Sequence, residues 1–152
     1  MWAAVAAIAV ALWGCGDDDS SAGGGSSGGK SARAEFVEQA NAICEEGKER
    51  GLEAMGAYAK EHPGSGLSQQ EQLAVALQKA FLPELQKQVD EIRQLEPPAG
   101  DEQQVEAFLV ATEEAVEASS KGPASTGDQF DPNFDRSARL ARAYGLSGCI
   151  YG

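Results

Sequence analysis

The side chains of this sequence that could carry out chemistry are groups of carboxylates, one histidine and three cysteines. Two carboxylates alone can hydrolyse a glycoside, one as acid and the other as base or nucleophile. The acidic groups are Glu45-Glu46-Glu49 and Glu113-Glu114-Glu117. Their spacing places them opposite apolar helix faces, where carboxylates usually form a solvated surface. We therefore interpret them as surface and not as a catalytic pair.

Other catalytic and metal-binding patterns are also missing from the sequence. A serine nucleophile would need His62, the single histidine, as its base, but the Pro63-Gly64 that follows predicts an exposed helix end. Transition-metal sites draw on several His or Cys ligands, and no glycine-rich phosphate loop precedes a helix. We predict a protein that is not an enzyme, with no catalytic residues, metal or cofactor, and the sequence names no ligand-binding residues.

The charge balance excludes one class of partner. The chain has 152 residues and a formal net charge of -12, a length that fits one domain. Nucleic-acid binding needs a basic footprint, so we predict no nucleic-acid partner. Arg136, Arg139 and Arg142 form a basic stripe. They could bind an anionic partner, but we favour pairing with the acidic first and third helices.

The beginning of the chain is an apolar run from Trp2 to Trp13. As a helix it would measure about 18 Å, which is short of the roughly 30 Å hydrocarbon layer and typical of a signal peptide. Leu12-Trp13-Gly14-Cys15 resembles the bacterial lipobox, and this implies a lipoprotein signal peptide over residues 1–14 and lipidation of Cys15, including palmitate. An ordinary signal peptide or a buried apolar helix remains the alternative. Because no Lys or Arg precedes the run, we expect the true start to lie upstream of Met1.

Residues 15–31 are predicted to be the lipidated Cys15 and a flexible linker of Gly, Ser and Asp. Asp17-Asp18-Asp19 would lack the fixed geometry that a cation site needs. Two or three acyl chains make anchoring persistent. The expected location is the cell membrane, lipid-anchored on its extracytoplasmic face, with membrane lipid as the partner of Cys15.

Residues 32–152 have a helical apolar pattern and are predicted to form an all-α domain, a small four-helix bundle. The first helix runs from Ser31 to about Glu61, and the second from a capping box at Ser68 to Leu95, with a kink at Pro83. The third is capped by 101–104, and the fourth runs from Asp131 to a left-handed Gly145. The predicted buried faces are Phe36, Ala40, Ile43, Gly47, Gly51, Met55 and Tyr58; Leu73, Leu77, Phe81, Leu85, Val89 and Ile92; Val105, Phe108, Leu109, Thr112 and Val116; and Phe134, Ala138, Ala141 and Tyr144. Gly47 and Gly51 are expected to let a neighbouring backbone approach.

If Cys15 carries lipid, Cys44 and Cys149 remain as two cysteines of an exported domain. A disulfide is the default in an oxidising compartment. Redox or metal use and free thiols are the alternatives, although the Cys-x-x-Cys spacing of redox sites is absent.

Three short motifs occur in order: Phe36 with Ala40-Asn41-Ala42-Ile43-Cys44, Leu95-Glu96-Pro97-Pro98, and Tyr144-Gly145-Leu146-Ser147-Gly148-Cys149. Together they resemble a group of small actinobacterial lipoproteins and secreted proteins without an established biochemical function. The resemblance covers about residues 34–150. It implies a helical domain in which Cys44 is joined to Cys149.

The sequence thus predicts a membrane-anchored cell-envelope lipoprotein of unknown molecular activity. Its helical domain is expected to be a non-enzymatic interaction or structural module, with an envelope protein as a possible partner. The alternative is a protein that binds a small ligand or cation in a pocket between helices.

Overall fold

The computed structural model describes residues 27–63, 66–121 and 131–151. The predicted signal peptide, Cys15 and the linker up to residue 26 lie outside the described residues. None of the helices in the described part is both long and apolar enough to span a bilayer.

Five α-helices make up the described fold: α1 (Ser27–Glu61), α2 (Gln69–Ala76), α3 (Leu82–Arg93), α4 (Glu102–Lys121) and α5 (Asp135–Tyr144). A π-helical turn at Leu77–Phe81 joins α2 to α3, and 3₁₀ turns lie at Pro132–Phe134 and Ser147–Cys149. Every regular element in these residues is helical, which confirms the predicted all-α class. Because α2, the π-helical turn and α3 follow one another without a break, they correspond to the second predicted helix.

Local signals set two helix ends where the sequence predicted them, whereas α1 begins at Ser27 and not at Ser31, and a 3₁₀ turn precedes α5. The Ser68 hydroxyl accepts from the Glu71 N–H while the Glu71 carboxylate accepts from the Ser68 N–H, which forms the capping box. Gly145 ends α5 with a φ of 100°, a left-handed conformation that glycine adopts without steric cost. Pro83 lies in the first turn of α3, and in place of a simple kink the π-helical turn precedes it.

The helices pack in the order α1, α3, α4 and α5, and the last 3₁₀ turn returns to α1. The prediction that Gly47 and Gly51 let a neighbouring backbone approach is wrong, because side chains of the second predicted helix fill the space beside both glycines. A Cβ atom at Gly47 would lie 2.1 Å from Gln88, and one at Gly51 would lie 2.6 Å from the Phe81 ring. The core contains apolar side chains from every predicted helix; its largest fully buried members include Phe108, Leu85, Ile92, Leu109, Leu146 and Val89.

The prediction that Leu73 faces the core is wrong. Leu73 is 60% exposed, and Ala76 is the buried residue of α2. The physical reason is that α2 packs against α1 and the π-helical turn. A helix with so few neighbours buries only a narrow stripe of its surface. The apolar face of α2 is wider than this stripe, so Leu73 stays exposed.

Candidate functional site

A surface groove lies between the amino-terminal part of α1 and the connection from α3 to α4. One wall is a stripe of α1 at helical spacing, Ala32, Glu35, Phe36 and Gln39, and the other is segment 95–99. The groove has a volume of about 400 Å³, which falls within the range of small-molecule pockets. The groove is a site open to the surface, and the alternative of ligand binding in a pocket between helices stays a prediction.

The backbone holds the second wall in one shape. Pro97 and Pro98 fix their own φ angles and lack the N–H groups that would continue α3. The Asp101 N–H donates to the Pro98 carbonyl at 2.9 Å. Gly100 has a φ of 91°, which residues with a side chain rarely adopt. A preorganised wall lowers the entropy cost of binding.

A polar cluster adjoins the groove through Phe36. The Phe36 and Tyr144 rings meet edge to face, with their centroids 6.0 Å apart. The Tyr144 hydroxyl donates to Asp101 Oδ2 at 2.9 Å, and the Arg33 guanidinium lies 4.4 Å from the centre of the Tyr144 ring. Burial, and then the hydrogen bond to Asp101, raise the pKa of Tyr144 to about 12. The cluster ties together the start of α1, the start of α4 and the end of α5.

Asn41 fastens the end of the chain to α1. Its Nδ2 donates to the Gly145 carbonyl at 3.3 Å, and its Oδ1 accepts from the Gly148 N–H at 2.8 Å. A Cβ atom at Gly148 would lie 2.8 Å from the Asn41 carbonyl oxygen, so glycine is needed for this approach. The Asn of the first motif therefore serves to position the last motif.

The disulfide lies one turn further along α1. Cys44 and Cys149 are bonded with an S–S distance of 2.01 Å and a sequence separation of 105, and both are fully buried. This confirms the predicted disulfide. The lipidation site Cys15 lies outside the described residues, so its role stays a prediction.

The two acidic groups singled out in the sequence lie at the surface. Glu46 pairs with Arg50, and Glu113 forms two hydrogen bonds with Arg93 at 2.8 and 3.0 Å. The hydrogen bond with Arg93 lowers the pKa of Glu113. None of the six residues in these groups is buried. They form ion pairs and solvated surface, as the sequence indicated.

The remaining candidates are also explained by local contacts. His62 is exposed at the end of α1, where its Nδ1 donates to the Tyr58 carbonyl at 2.9 Å. Arg136 pairs with Glu114 of α4 at 2.6 Å, which is the pairing we favoured for this stripe. Arg139 and Arg142 are exposed and have no ion pair with another described residue.

In residues 27–63, 66–121 and 131–151, no group of three or more His, Cys, Asp or Glu side chains is arranged to hold a metal ion.

The sequence does not predict the groove, because its two walls are distant in the chain. Ala32, Glu35, Phe36 and Gln39 lie at positions i, i+3, i+4 and i+7 of one helix face, but no local pattern places the Leu-Glu-Pro-Pro motif opposite them. A second feature without a sequence signal is the buried Gln88, whose Oε1 accepts from the Tyr151 hydroxyl at 2.6 Å. Burial raises the pKa of Tyr151, and Gln88 Nε2 has no partner among the described residues.

Comparison of the chain with protein-family models, curated proteins and solved structures finds no match. The geometry of the groove is therefore the basis for its interpretation.

Proposed function

We propose that this chain is a cell-envelope lipoprotein, anchored through Cys15 on the extracytoplasmic face of the cell membrane, and that its helical domain is a non-enzymatic interaction module. The groove between α1 and the Leu-Glu-Pro-Pro turn is its docking site. The observation that carries this proposal is an open groove of about 400 Å³ with a rigid proline wall. Its lining offers leucine and proline carbon surface, an amide and two carboxylates, which are groups suited to recognition.

The position of the groove supports this function. It lies at the amino-terminal end of α1, the end that follows Cys15 in the chain. An anchor at Cys15 would hold the groove near the bilayer, within reach of other envelope proteins. The first and last motifs of the resemblance also meet at this end through Phe36, Asn41 and the disulfide, and the middle motif forms the opposite wall of the groove. The proposed relationship to small actinobacterial lipoproteins rests on the resemblance of these motifs alone.

Capture of a small ligand is the second candidate. The groove volume of about 400 Å³ fits this class, and Glu35 and Glu96 could bind a cationic group or a cation. A peptide is favoured because the groove lies open along one side of α1, whereas small-molecule pockets enclose most of their ligand.

Photo-crosslinking in native membranes tests the proposal. A benzophenone amino acid replaces Gln39 in the groove of the full-length chain, and the matched control carries it at Ala57, which is exposed on the distal part of α1. Mass spectrometry then identifies the crosslinked products. We expect a protein adduct from position 39 that is absent from position 57; a small-molecule adduct at position 39 would favour ligand capture. The same products from both positions, or none from either, would contradict a docking role for the groove.

The anchor is tested separately. Cys15→Ser should leave the protein soluble or unprocessed, as shown by membrane fractionation and by mass spectrometry of the amino-terminal peptide. If Cys15→Ser stays in the membrane fraction with unchanged processing, the lipoprotein assignment is wrong.

A further inference from the structure

The groove combines an apolar floor with a negatively charged rim. Leu95 and Pro97, both half-buried, contribute carbon surface, while Glu35 on the α1 wall and Glu96 on the opposite wall are exposed. No Lys or Arg is among the described residues that line it. A ligand in the groove would therefore meet carbon below it and a carboxylate on each side.

The rim carboxylates are not used by the fold. Neither Glu35 nor Glu96 makes an ion pair or hydrogen bond with another described residue, whereas Glu91 accepts two hydrogen bonds from Arg50 at 3.1 and 3.0 Å. Arg33 is close to Glu35 in sequence, but it interacts with Asp101 and the Tyr144 ring instead. Glu35 and Glu96 thus remain available to a cationic group from outside.

The length of the groove limits its occupant. Its α1 wall runs from Ala32 to Gln39, which is about 10 Å at the rise of an α-helix. An extended chain covers about 3.3 Å per residue, so roughly three residues would lie between the walls. One apolar side chain can fill the floor, and the side chains on either side of it can reach the rim.

We propose that the groove binds a short extended segment of a partner protein in which one apolar side chain is flanked by Lys or Arg. This inference rests on the proposed function and specifies its partner. The apolar side chain packs on Leu95 and Pro97, and the flanking cations pair with Glu35 and Glu96. The rim and the net charge of -12 disfavour acidic segments, because like charges placed against each other cost binding energy.

A random peptide display library, selected on the full-length lipoprotein in nanodiscs, tests this partner chemistry. The wild-type protein should enrich peptides with an apolar residue flanked by Lys or Arg. Enriched peptides are then labelled with fluorescein and titrated by fluorescence anisotropy. Removing both rim charges, in Glu35→Gln with Glu96→Gln, should weaken binding about three- to tenfold, and added salt should weaken wild-type binding.

Two further variants make the test specific. Glu53→Gln with Glu61→Gln removes the same charge from exposed positions on the distal part of α1 and should leave the affinity unchanged. Charge reversal, in Glu35→Lys with Glu96→Lys, should switch the selected flanking residues from Lys and Arg to Asp and Glu. Circular dichroism should show the same helical content in all variants, since the rim side chains make no contact that holds the fold.

The possible failures separate the two proposals. Selected peptides without Lys or Arg enrichment, or equal binding by the rim and distal variants, would overturn the charge-based partner; a protein adduct at position 39 would then leave the docking role in place. If no peptide is enriched over empty nanodiscs, the inference is also overturned. The absence of an adduct at position 39 would then reject the docking function as well.

Discussion

Gly47→Ala should destabilise the domain, although alanine has a higher helix propensity than glycine. Gly47 is buried against α3, and a Cβ atom there would lie 2.1 Å from both Cγ and Cδ of Gln88. Gln88 is 1% exposed, and its Oε1 holds the Tyr151 hydroxyl at 2.6 Å. The new methyl group therefore has to displace a packed side chain and break a buried hydrogen bond.

The magnitude follows from three opposing effects. Replacing a helical glycine by alanine gains nearly 1 kcal/mol. Forcing an extra methyl group into a packed core costs about 1–3 kcal/mol, and leaving the buried Tyr151 hydroxyl without its acceptor costs about 1–3 kcal/mol. We expect a net loss of about 3 kcal/mol, or roughly a hundredfold in the folding equilibrium constant.

Urea unfolding followed by circular dichroism measures this loss, using the helical domain exported to an oxidising compartment so that its disulfide forms. Gly56 on the same helix provides the matched control, since nothing lies within 4 Å of a Cβ atom built there. Gly56→Ala should stabilise the domain by up to about 1 kcal/mol. The same substitution in the same helix is thus predicted to have opposite signs at two positions.

A double-mutant cycle with Gln88→Ala tests the cause. Without the Gln88 side chain, the three atoms nearest to a Cβ atom at position 47 are absent and the hydrogen bond to Tyr151 is already lost, so Gly47→Ala should keep its helix gain of nearly 1 kcal/mol in that background. The expected coupling is therefore about 4 kcal/mol, which is the net loss of about 3 kcal/mol plus this gain and lies above the usual range for residues in direct contact. An equal loss in both backgrounds would refute the reasoning, because it would place the cost outside the contact with Gln88.

Three further predictions concern the fastening of the chain end. Replacing both Cys44 and Cys149 by alanine should cost up to about 4.7 kcal/mol in the chain-entropy model, and the lowered urea midpoint should not fall further when reducing agent is added. Asn41→Ala should cost about 2 kcal/mol because the Gly148 N–H loses its acceptor; Asn41→Asp, which keeps an acceptor, should lose less, and an equal loss for both would contradict this role. The pKa of Tyr144 is raised from 10.0 to about 12, so its contribution to stability is complete below pH 10 and is lost as the pH rises towards 12. Tyr144→Phe should make the fall of the unfolding midpoint over this range shallower, and an unchanged pH profile would show that Tyr144 titrates normally.

Much of the fold could be predicted because its signals are local. Apolar side chains at intervals of three and four residues indicate helices, and Ser68 and Gly145 act on backbone groups within a few residues of themselves. The exposure of Leu73 could not be predicted in this way. It depends on which helices reach α2, and that is decided by contacts between distant parts of the chain.

The groove and the buried amide depend on such distant contacts even more strongly. Glu35 and Gln39 look like ordinary outer positions of α1 until segment 95–99 is placed opposite them. Gln88 lies among apolar residues of α3, and its burial requires a hydroxyl that is 63 positions away. No local pattern contains this information, so composition and spacing could suggest a binding module without locating its surface.

Under the proposed docking role, folding and recognition would depend on different residues at the same end of the bundle. Asn41, Gly148 and the disulfide hold the chain end on α1. Glu35 and Glu96 make no such contact, and exposed carboxylates contribute little to stability in any case. Substitutions at the rim should therefore change what the groove binds while the scaffold stays intact. That separation is what an interaction module requires, and it allows binding and stability to be measured independently in the same protein.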